Sequence, residues 1–401
     1  MKKILMLLVV IASISLMEGR RSDRSAETDM AGKSVERFDL DLSLVNLLQE
    51  FDSHLRLEAE SGDIPGFGVA VVKDGKTVLL KGYGLREEGT SHRVDPMTVF
   101  RLASVSKGFA PVLTAILGRE ESIEWEDPIV KYLPDFTLSD PVQTRALTLE
   151  HVLSHQTGLP RHAYSNLLNA GVPYRDILAK LAGVELSHPV GGFYNYQNVA
   201  YSLVADVLEQ QSGKPYDRLL EEYIFEPTGM LRASANYEGM VRQSNKALPH
   251  PRSWGSYRLR EIKPTYYDVG PAAGVNASAA DMAEWLKLLL GHYPDVISHD
   301  ELADIFRPRV QVSKWDKSMS RWRSQLEAAH YALGWRVLDL KDGRRLLYHG
   351  GYVNGYRAEI ALEVETGFGM AILSNAPAQF ISRATPYFFE LTKAYQSMPP
   401  L

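Results

Sequence analysis

Ser104-Val105-Ser106-Lys107 is the only S-x-x-K sequence in this chain of 401 residues. Residues i and i+3 share one face of a helix, so a helix that begins here would bring the Lys107 side chain toward the Ser104 hydroxyl. A serine hydroxyl is a weak nucleophile until a base removes its proton, and a lysine becomes such a base when burial lowers its pKa. Chance matches to so short a pattern are common, but its position at the start of an apolar helix favours nucleophilic catalysis by Ser104.

A second candidate is the Tyr-x-Asn sequence, which begins at Tyr164, at Tyr196 and at Tyr352. Only Tyr196-Gln197-Asn198 follows a glycine-containing loop and precedes a strongly amphipathic helical pattern. A tyrosine in such a loop, near a lysine, can donate and accept protons at a reacting centre. We therefore select Tyr196, and we interpret Tyr164 and Tyr352 as turn residues with exposed hydroxyls.

His349-Gly350-Gly351 precedes an aromatic-rich strand pattern. Paired glycines let a substrate lie close to the strand backbone, where a strand N–H can donate to a developing oxyanion. The alternative is a simple loop that carries a surface histidine.

His151 and His155 are four residues apart, on one face if this segment is helical. Val152 stands where the H-E-x-x-H zinc motif has its Glu, and the sequence shows no third ligand. We therefore expect a supporting or core role for both histidines. The chain also lacks a P-loop and a G-x-S-x-G sequence, and we predict neither a metal ion nor a cofactor.

Composition narrows the classes of partner. The chain has 44 Lys and Arg against 49 Asp and Glu, a formal charge of −5, and no basic block. This balance argues against a nucleic-acid partner and leaves a small-molecule or short-peptide substrate open. Cysteine is absent, which excludes disulfides and a cysteine nucleophile.

The N-terminus has the pattern of an export signal. Two lysines follow Met1, and residues 4–17 form a mostly apolar run of 14 residues, which is short for a membrane span. We predict a signal peptide over residues 1–17 and a flexible polar leader over 18–38, with an uncleaved anchor as the alternative. The prediction implies a periplasmic or secreted protein with no membrane span in the mature chain.

Hydrophobic periodicity predicts the main elements. Pro111 lies inside one helical pattern, which predicts a kink or a late start there, and Gly118 is the expected end of that helix. A hairpin turn is expected at Asp74-Gly75. Apolar stripes predict helices over residues 40–60, 104–118, 198–211 and 379–395, and strand patterns cover 67–80, 331–338, 356–364 and 368–373.

Strands near both ends of the chain surround a helical middle. This order predicts an α+β fold in which both chain ends build one antiparallel sheet flanked by helices. We predict an α/β domain from residues 39–118 and 281–401, with an inserted all-helical domain over 119–280.

Three motifs occur in the order Ser104, Tyr196, His349, at spacings of 92 and 153 residues. With the strand–helix–strand order, they resemble the serine β-lactamase and penicillin-binding-protein superfamily. The most similar branch is the class C β-lactamase-like one, which also holds esterases, D-aminopeptidases and D,D-carboxypeptidases. The resemblance covers residues 40–395 and extends to the segments FRLASVSK at 100–107, LEHVLSHQTGLP at 149–160, GKPY at 213–216, GW at 334–335 and LSNA at 373–376.

The resemblance implies a role for each motif residue. Ser104 matches the acylated nucleophile, and Lys107 matches the group that accepts its proton. Tyr196 matches the tyrosine that relays protons to the leaving group and helps to activate the deacylating water. Asn198 matches the amide that holds Lys107 and binds the substrate carbonyl on the acyl side.

At the third motif, His349 and Gly351 match substrate-binding positions, and the backbone N–H groups of Ser104 and Tyr352 match the oxyanion hole. β-Lactamases of this branch usually carry Lys, then Thr or Ser, then Gly at this motif, whereas this chain has His-Gly-Gly. A free imidazole is about half charged near pH 6.5, so we expect His349 to be a weaker anchor for a substrate carboxylate than a lysine.

The resemblance therefore implies a metal-free serine hydrolase that forms an acyl-enzyme. Its substrate would be an ester or an amide, such as a small ester, a D-amino-acid peptide or a β-lactam. Two alternatives stay open: acyl transfer to an acceptor other than water, and a penicillin-binding sensor that is acylated without turnover.

Overall fold

The computed structural model describes residues 41–62, 64–254 and 256–396. The predicted signal peptide and leader lie outside these residues, so the export of the protein stays a prediction. Within the described ranges, every helix is too short or too polar to cross a lipid bilayer.

The strands are numbered along the chain. They are β1 Gly66–Lys73, β2 Lys76–Gly84, β3 Val99–Arg101, β4 Arg252–Ser253, β5 Ser256–Tyr257, β6 Asn276–Ser278, β7 Val310–Gln311, β8 Leu326–Tyr331, β9 Arg336–Leu340, β10 Arg345–Val353, β11 Tyr356–Glu363 and β12 Phe368–Ser374.

Both ends of the chain meet in one antiparallel sheet of eight strands. Its order is β2-β1-β12-β11-β10-β9-β8-β7, and the first strand joins the last through pairs such as Phe67 with Ser374. The β1–β2 hairpin turns at Asp74 and Gly75, which both have positive φ values, 47° and 71°. Two such residues make the tight turn whose twist matches antiparallel strands, so the predicted hairpin and the predicted α+β sheet are confirmed.

The helices are also numbered along the chain. They are α1 Leu42–Glu60, α2 Phe109–Glu121, α3 Ile129–Tyr132, α4 Pro141–Ala146, α5 Leu149–Leu153, α6 Ser165–Asn169, α7 Tyr174–Lys180, α8 Leu203–Ser212, α9 Tyr216–Leu220, α10 Glu226–Thr228, α11 Tyr237–Arg242, α12 Gly270–Ala273, α13 Ala279–Leu289, α14 His299–Phe306 and α15 Ile381–Gln396. Short 3₁₀ turns cover Ala103–Gly108, Leu181–Gly183, Ala200–Ser202, Tyr267–Val269 and Lys317–Met319, and a π-helical turn covers Glu221–Phe225.

The two faces of the sheet pack into separate cores. Side chains alternate along a strand, so Val69 and Val71 of β1 pack on the side of α1 and α15, whereas Ala70 and Val72 pack on the side of α2 and α13. Each fully buried valine contributes about 1.5–3 kcal/mol relative to an exposed one. The core that contains Ala70 and Val72 also takes in Val105, so it holds the S-x-x-K segment in place.

The helix after the S-x-x-K segment differs from its predicted bounds at both ends. The predicted late start is confirmed, because residues 103–108 form a 3₁₀ turn and α2 begins at Phe109. Pro111 then lies in the first turn of α2, where its missing N–H costs nothing. The predicted end at Gly118 is wrong: the helix continues to Glu121, and Ser122 ends it with a φ of 53°. Gly118 instead makes room for the Ile123 carbonyl, since a Cβ there would lie 2.8 Å from that oxygen.

The range 331–338, predicted as one strand, contains the end of β8, a turn over residues 332–335 and the start of β9. β8 ends at Tyr331 and β9 begins at Arg336. Gly334 has a φ of 74°, a left-handed conformation that breaks an extended strand. Leu333 and Trp335 beside it are buried, and both Gly334 and Trp335 pack against residues 107–108. A buried turn needs apolar residues just as a buried strand does, so the sequence pattern of the two is alike.

Between α2 and α13 most of the described elements are short helices. The described residues there also form the short strands β4, β5 and β6. β6 pairs with β3 immediately before the S-x-x-K segment, through Arg101 and Asn276. This part of the chain thus helps to hold the S-x-x-K segment in place and is not all-helical as predicted. An inserted domain over residues 119–280 stays a prediction.

Candidate active site

Ser104 lies in a tight turn directly after β3. Ala103 before it has a φ of 50°, a conformation that costs a residue with a Cβ about 1–2 kcal/mol. The next three residues are buried, whereas Ser104 itself is partly exposed. The Ser106 hydroxyl accepts a hydrogen bond from the Val275 N–H at 3.0 Å, which ties the turn to the chain before β6. The turn therefore presents one hydroxyl to solvent and anchors the rest.

Lys107 is completely buried, and two hydrogen bonds fix the position of its side-chain nitrogen. Nζ donates to Asn198 Oδ1 at 2.8 Å and to the Ala272 carbonyl at 2.9 Å. No Asp or Glu of the described residues forms an ion pair with it. Burial, and secondly the nearby Arg336 guanidinium, lower the Lys107 pKa well below 10.5. A neutral amine has two hydrogens for these two acceptors and keeps one lone pair, which is what a base requires.

Tyr196 lies between the lysine and the serine. Its ring centroid is 4.6 Å from Lys107 Nζ, and the residue is only 6% exposed. Burial raises the pKa of its hydroxyl, and this effect is opposed by the Arg336 charge and by a hydrogen bond with the Ser104 side chain. The hydroxyl thus stays protonated at neutral pH and contacts the candidate nucleophile.

A buried histidine positions the Tyr196 loop. His155 Nδ1 accepts a hydrogen bond from the Gln197 N–H at 3.2 Å, its carbonyl accepts from Asn195 at 2.8 Å, and its ring lies 4.3 Å from the Tyr196 ring. Burial lowers its pKa well below 6.5, and the protonated form of Lys107 and then the Arg336 charge lower it further, so the ring is neutral.

The two histidines of the H-x-x-x-H spacing do not share a helix. α5 ends at Leu153, and His155 follows in a left-handed conformation with a φ of 61°. His151 instead closes the capping box at the start of α5 with Thr148. Among the described residues, no group of three or more His, Asp or Glu side chains could hold a metal ion.

The third motif lies on β10, at an edge that its neighbour leaves open. β9 pairs with β10 only as far as Tyr348, so residues 349–353 have β11 on one side alone. The pair Val353–Tyr356 flanks the two-residue turn to β11 and exchanges hydrogen bonds. Hydrogen-bonded and non-hydrogen-bonded pairs alternate, so the Tyr352 N–H points away from β11 toward the open edge.

Gly351 brings this edge against the serine turn. A Cβ at position 351 would lie 2.4 Å from the Leu102 carbonyl oxygen and 2.9 Å from the Ser104 nitrogen. Only glycine fits such a close approach without moving the backbone. The structure therefore packs β10 at Gly351 directly against the backbone nitrogen of Ser104.

The structure corrects the expected state of His349. The residue has no exposed surface; its Nε2 lies 3.1 Å from the Tyr331 hydroxyl and its Nδ1 lies 3.0 Å from the Gly350 carbonyl. Burial, and secondly the Arg336 charge, lower the His349 pKa well below 6.5. The expectation of an imidazole half charged near pH 6.5 is wrong, because the ring is buried and lies near the Arg336 guanidinium. The neutral ring instead donates from Nδ1 and accepts from Tyr331.

The other Tyr-x-Asn sequences lie outside this cluster of side chains. Tyr164 begins α6 with a φ of 57°. Tyr352 is 57% exposed, and Asn354 in the following turn donates to Thr265 Oγ1 at 2.8 Å. Both are turn-associated residues, as the sequence indicated, although the backbone of Tyr352 belongs to the site.

Sequence reasoning missed one residue of the site, Arg336, and expected the supporting role of His155. The sequence draws attention to His155 only through its spacing to His151, and the apolar neighbours that bury it are the available signal for a supporting role. Arg336 carries no sequence signal at all, because it follows an apolar segment with the composition of an ordinary strand. Its guanidinium carbon lies 5.6 Å from the Tyr196 ring centroid.

Residues 51–387 match the family model described as Beta-lactamase, which confirms the predicted superfamily. The chain belongs to the beta-lactamase family. Among curated proteins of similar sequence is the Unguisins hydrolase ungD' of Aspergillus campestris, with 28% identity over 339 residues, which cover 82% of this chain and 61% of that protein. Protein flp of Staphylococcus aureus strain MRSA252 is 24% identical over 344 residues, which cover 84% and 64% of the two chains. This beta-lactamase-family chain thus matches about six-tenths of the length of these relatives.

A solved structure with the same fold is that of the octameric penicillin-binding protein homologue from Pyrococcus abyssi. The TM-score is 0.75 at 22% sequence identity, over 86% of this chain and 77% of that one. The likeness shows that the two chains share the fold.

Proposed function

We propose that this protein is a serine hydrolase that cleaves an ester or amide through an acyl-enzyme on Ser104. The observation that carries the proposal is the state of Lys107: a buried lysine with no carboxylate partner among the described residues, hydrogen-bonded to two carbonyl oxygens. Such a lysine is a neutral amine poised as a base. Family membership and a relative named as a hydrolase support the same reaction class.

In the acylation step, the Ser104 oxygen attacks the substrate carbonyl carbon while its proton passes to Lys107 Nζ. The negative charge that develops on the carbonyl oxygen accepts hydrogen bonds from the N–H groups of Ser104 and Tyr352. Such preorganised donors lower the barrier by about 2.7–4 kcal/mol each. The approach of Gly351 to the Ser104 nitrogen supports this assignment.

Collapse of the tetrahedral intermediate breaks the bond to the leaving group. The proton held by Lys107 moves through the Tyr196 hydroxyl to the departing oxygen or nitrogen, so that a neutral alcohol or amine leaves. Water then attacks the acyl-enzyme, Tyr196 and Lys107 accept its proton, and Ser104 regains a hydrogen as the acid product departs. Asn198 holds Lys107 throughout and binds the acyl-side carbonyl.

The test is covalent labelling of the purified protein. Treatment with a fluorophosphonate should add one adduct, measured by intact mass, and peptide mapping should find it on Ser104. Ser104→Ala should lose both the label and the hydrolysis of p-nitrophenyl acetate. Ser106→Ala is the matched control, because Ser106 lies in the same turn but is buried and bonded to Val275.

An adduct on another residue, or an active Ser104→Ala variant, would refute the assignment. A fluorescent penicillin separates the alternatives: a transient label indicates hydrolysis, and a label that persists for hours indicates a binding protein without turnover. Product analysis with an added amine or alcohol acceptor detects transfer to a group other than water.

A further inference from the structure

A cavity of about 480 Å³ lies between the segment 132–137, α7 and α8. Its volume is in the range of sites that hold small organic ligands. The described residues that line it include none of those assigned to the candidate active site. The cavity is therefore a separate feature, and what it binds can be argued without the proposed hydrolysis.

Part of the cavity wall is apolar. Leu133 and Phe136 follow α3, Leu178 belongs to α7, and all three line the cavity. Each packs against the larger core but is only partly buried. A ligand that covers their remaining apolar surface gains from its removal from water, so the wall suits an apolar group.

Asp206 of α8 is the buried charged group of this lining, with 6% of its surface exposed. Its Oδ2 accepts a hydrogen bond from the Tyr174 hydroxyl at 2.7 Å, and its Oδ1 pairs with Arg175 Nη2 at 2.8 Å. Tyr174 is not among the lining residues of the described chain, whereas Arg175 is. Tyr174 thus holds the carboxylate from the core, and Oδ1 is the oxygen on the cavity side.

The existing partners do not fully compensate the burial of this carboxylate. The Arg175 side chain is 70% exposed, and an ion pair with so solvated a cation contributes little. Burial raises the Asp206 pKa and the nearby Glu209 charge adds to the rise, while the Tyr174 hydrogen bond and the Arg175 charge oppose it without cancelling it. A further donor that is shielded from water would stabilise the carboxylate.

The charge of the cavity selects the sign of the ligand. The described lining residues carry two carboxylates, Asp135 and Asp206, against one guanidinium, Arg175. Asp135 is exposed at the rim, where it attracts a cation without burying it. The lining is thus net negative as well as partly apolar.

We propose that this cavity binds a small organic ammonium ion with an apolar body. The ammonium donates to Asp206 Oδ1 in place of Arg175, whose guanidinium turns outward into solvent. The apolar body lies against Leu133, Phe136 and Leu178. This is a binding site in addition to the proposed active site, and its test needs no turnover at Ser104.

The experiment compares three probes that share a phenyl body and differ in charge. They are 2-phenylethylamine, 2-phenylethanol and 3-phenylpropanoate, each titrated into the purified protein at pH 7.5 by isothermal titration calorimetry. The amine should bind at least about tenfold more tightly than the alcohol, the effect of one charge-assisted hydrogen bond. The carboxylate should bind more weakly than the alcohol, because Asp135 and Asp206 repel it.

Two substitutions should shift the affinity for the amine in opposite directions. Asp206→Asn keeps an oxygen for the Tyr174 hydroxyl but removes the charge, and it should weaken binding about 10- to 100-fold. Arg175→Gln removes the competing cation, and it should tighten binding about 2- to 5-fold. Asp176→Asn and Lys180→Gln are the matched controls: both residues are exposed on α7 and lie outside the described lining, so the affinity should not change.

The proposal is overturned if the amine shows no binding at millimolar concentrations or binds no more tightly than the alcohol. It is also overturned if Arg175→Gln weakens amine binding or leaves it unchanged, which decides the question should Asp206→Asn fail to fold. Tighter binding of the carboxylate than of the amine would make Arg175 the ligand contact and refute the assignment to Asp206. None of these readouts depends on hydrolysis, so a failure of the proposed hydrolase is recognised separately.

Discussion

Two basic side chains without carboxylate partners in the described part of the chain, Lys107 and Arg336, set the protonation states of the residues around Ser104. Burial penalises the charged form of Lys107 and so lowers its pKa, and the neighbouring guanidinium adds like-charge repulsion. An arginine stays charged under these conditions, so the lysine is the group that gives up its proton. Burial is the main cause of the lowered pKa values of His155 and His349, and the Arg336 charge lowers both of them further.

This electrostatic arrangement predicts the pH dependence of acylation. The base must be neutral, so kcat/KM should be retained above the Lys107 pKa and lost as the pH falls through it. Arg336→Met removes one cause of the lowered pKa, so the acid limb of the profile should move to higher pH. The measurement is kcat/KM for p-nitrophenyl acetate, a neutral ester, from pH 5 to 9. An unchanged limb would show that the two charges are uncoupled; Lys314→Ser serves as the charge-removal control, because Lys314 is exposed.

Tyr196→Phe should lower kcat by about 10²-fold or more, the usual contribution of a general acid–base group. Tyr196 is 6% exposed and its hydroxyl interacts with the Ser104 side chain, so it is placed to pass a proton to and from that group. Tyr164→Phe is the control, because Tyr164 begins α6 outside the cluster. Full activity of Tyr196→Phe on p-nitrophenyl acetate would remove the tyrosine from the mechanism.

At the scale of elements, the turn between β8 and β9 supports the serine turn. The Gly334 N–H donates to the Leu153 carbonyl at 3.0 Å, and a Cβ at this position would lie 2.6 Å from the Lys107 carbonyl oxygen. The Tyr201 hydroxyl donates to that same carbonyl at 2.7 Å. The glycine thus permits a close approach that fixes the backbone of the candidate base.

Gly334→Ala should therefore destabilise the protein and reduce its activity together. Gly343→Ala is a matched control: both glycines have a positive φ, 74° and 89°, but a Cβ on Gly343 would have no described atom within 4 Å, whereas one on Gly334 would be crowded. Both substitutions should cost about 1–2 kcal/mol for the left-handed backbone, and Gly334→Ala about 1–3 kcal/mol more for overpacking. Urea unfolding and esterase kinetics measure both effects. Equal stabilities and activities for the two variants would contradict the supporting role.

At the scale of the whole molecule, the site combines residues from distant parts of the chain in a buried setting. Such burial leaves His155 and His349 neutral, with pKa values well below 6.5. The unfolded chain takes up protons on these histidines near pH 6.5, whereas the folded protein resists protonation until a lower pH. Stability from this source is therefore complete above pH 6.5 and declines as the pH falls below it.

The expected decline is about 1.4 kcal/mol per pH unit for each of the two histidines between pH 6.5 and their folded pKa values. The check is the free energy of unfolding in urea at pH 7.5 and 5.5, for the wild type and for His155→Asn with His349→Asn. The double variant should lose less stability over this interval. The comparison separates the histidines from the buried carboxyls Asp206, Asp281 and Glu359, whose raised pKa values act in the opposite direction. Equal losses would contradict the prediction.

The sequence by itself determined the order of the motifs, the antiparallel sheet built from both chain ends, and the hairpin at Asp74 and Gly75. The strands and the hairpin follow from local periodicity and turn chemistry. The shared sheet follows from the order of strand and helix patterns along the whole chain. It also singled out Ser104, Lys107, Tyr196 and Asn198, which the structure brings into one cluster.

Only the tertiary structure decided the protonation states of the site. The neutrality of His349, the burial of Lys107 and the position of Arg336 depend on which segments pack around each group. Those segments are distant in the chain: Lys107 and its partner Asn198, for example, are 91 residues apart. The turn at Gly334 resembles a strand in sequence because its apolar residues are buried against the serine turn, and an apolar run has the same composition whether it extends or turns. Desolvation and charge proximity are properties of the folded neighbourhood, so no local pattern could have predicted them.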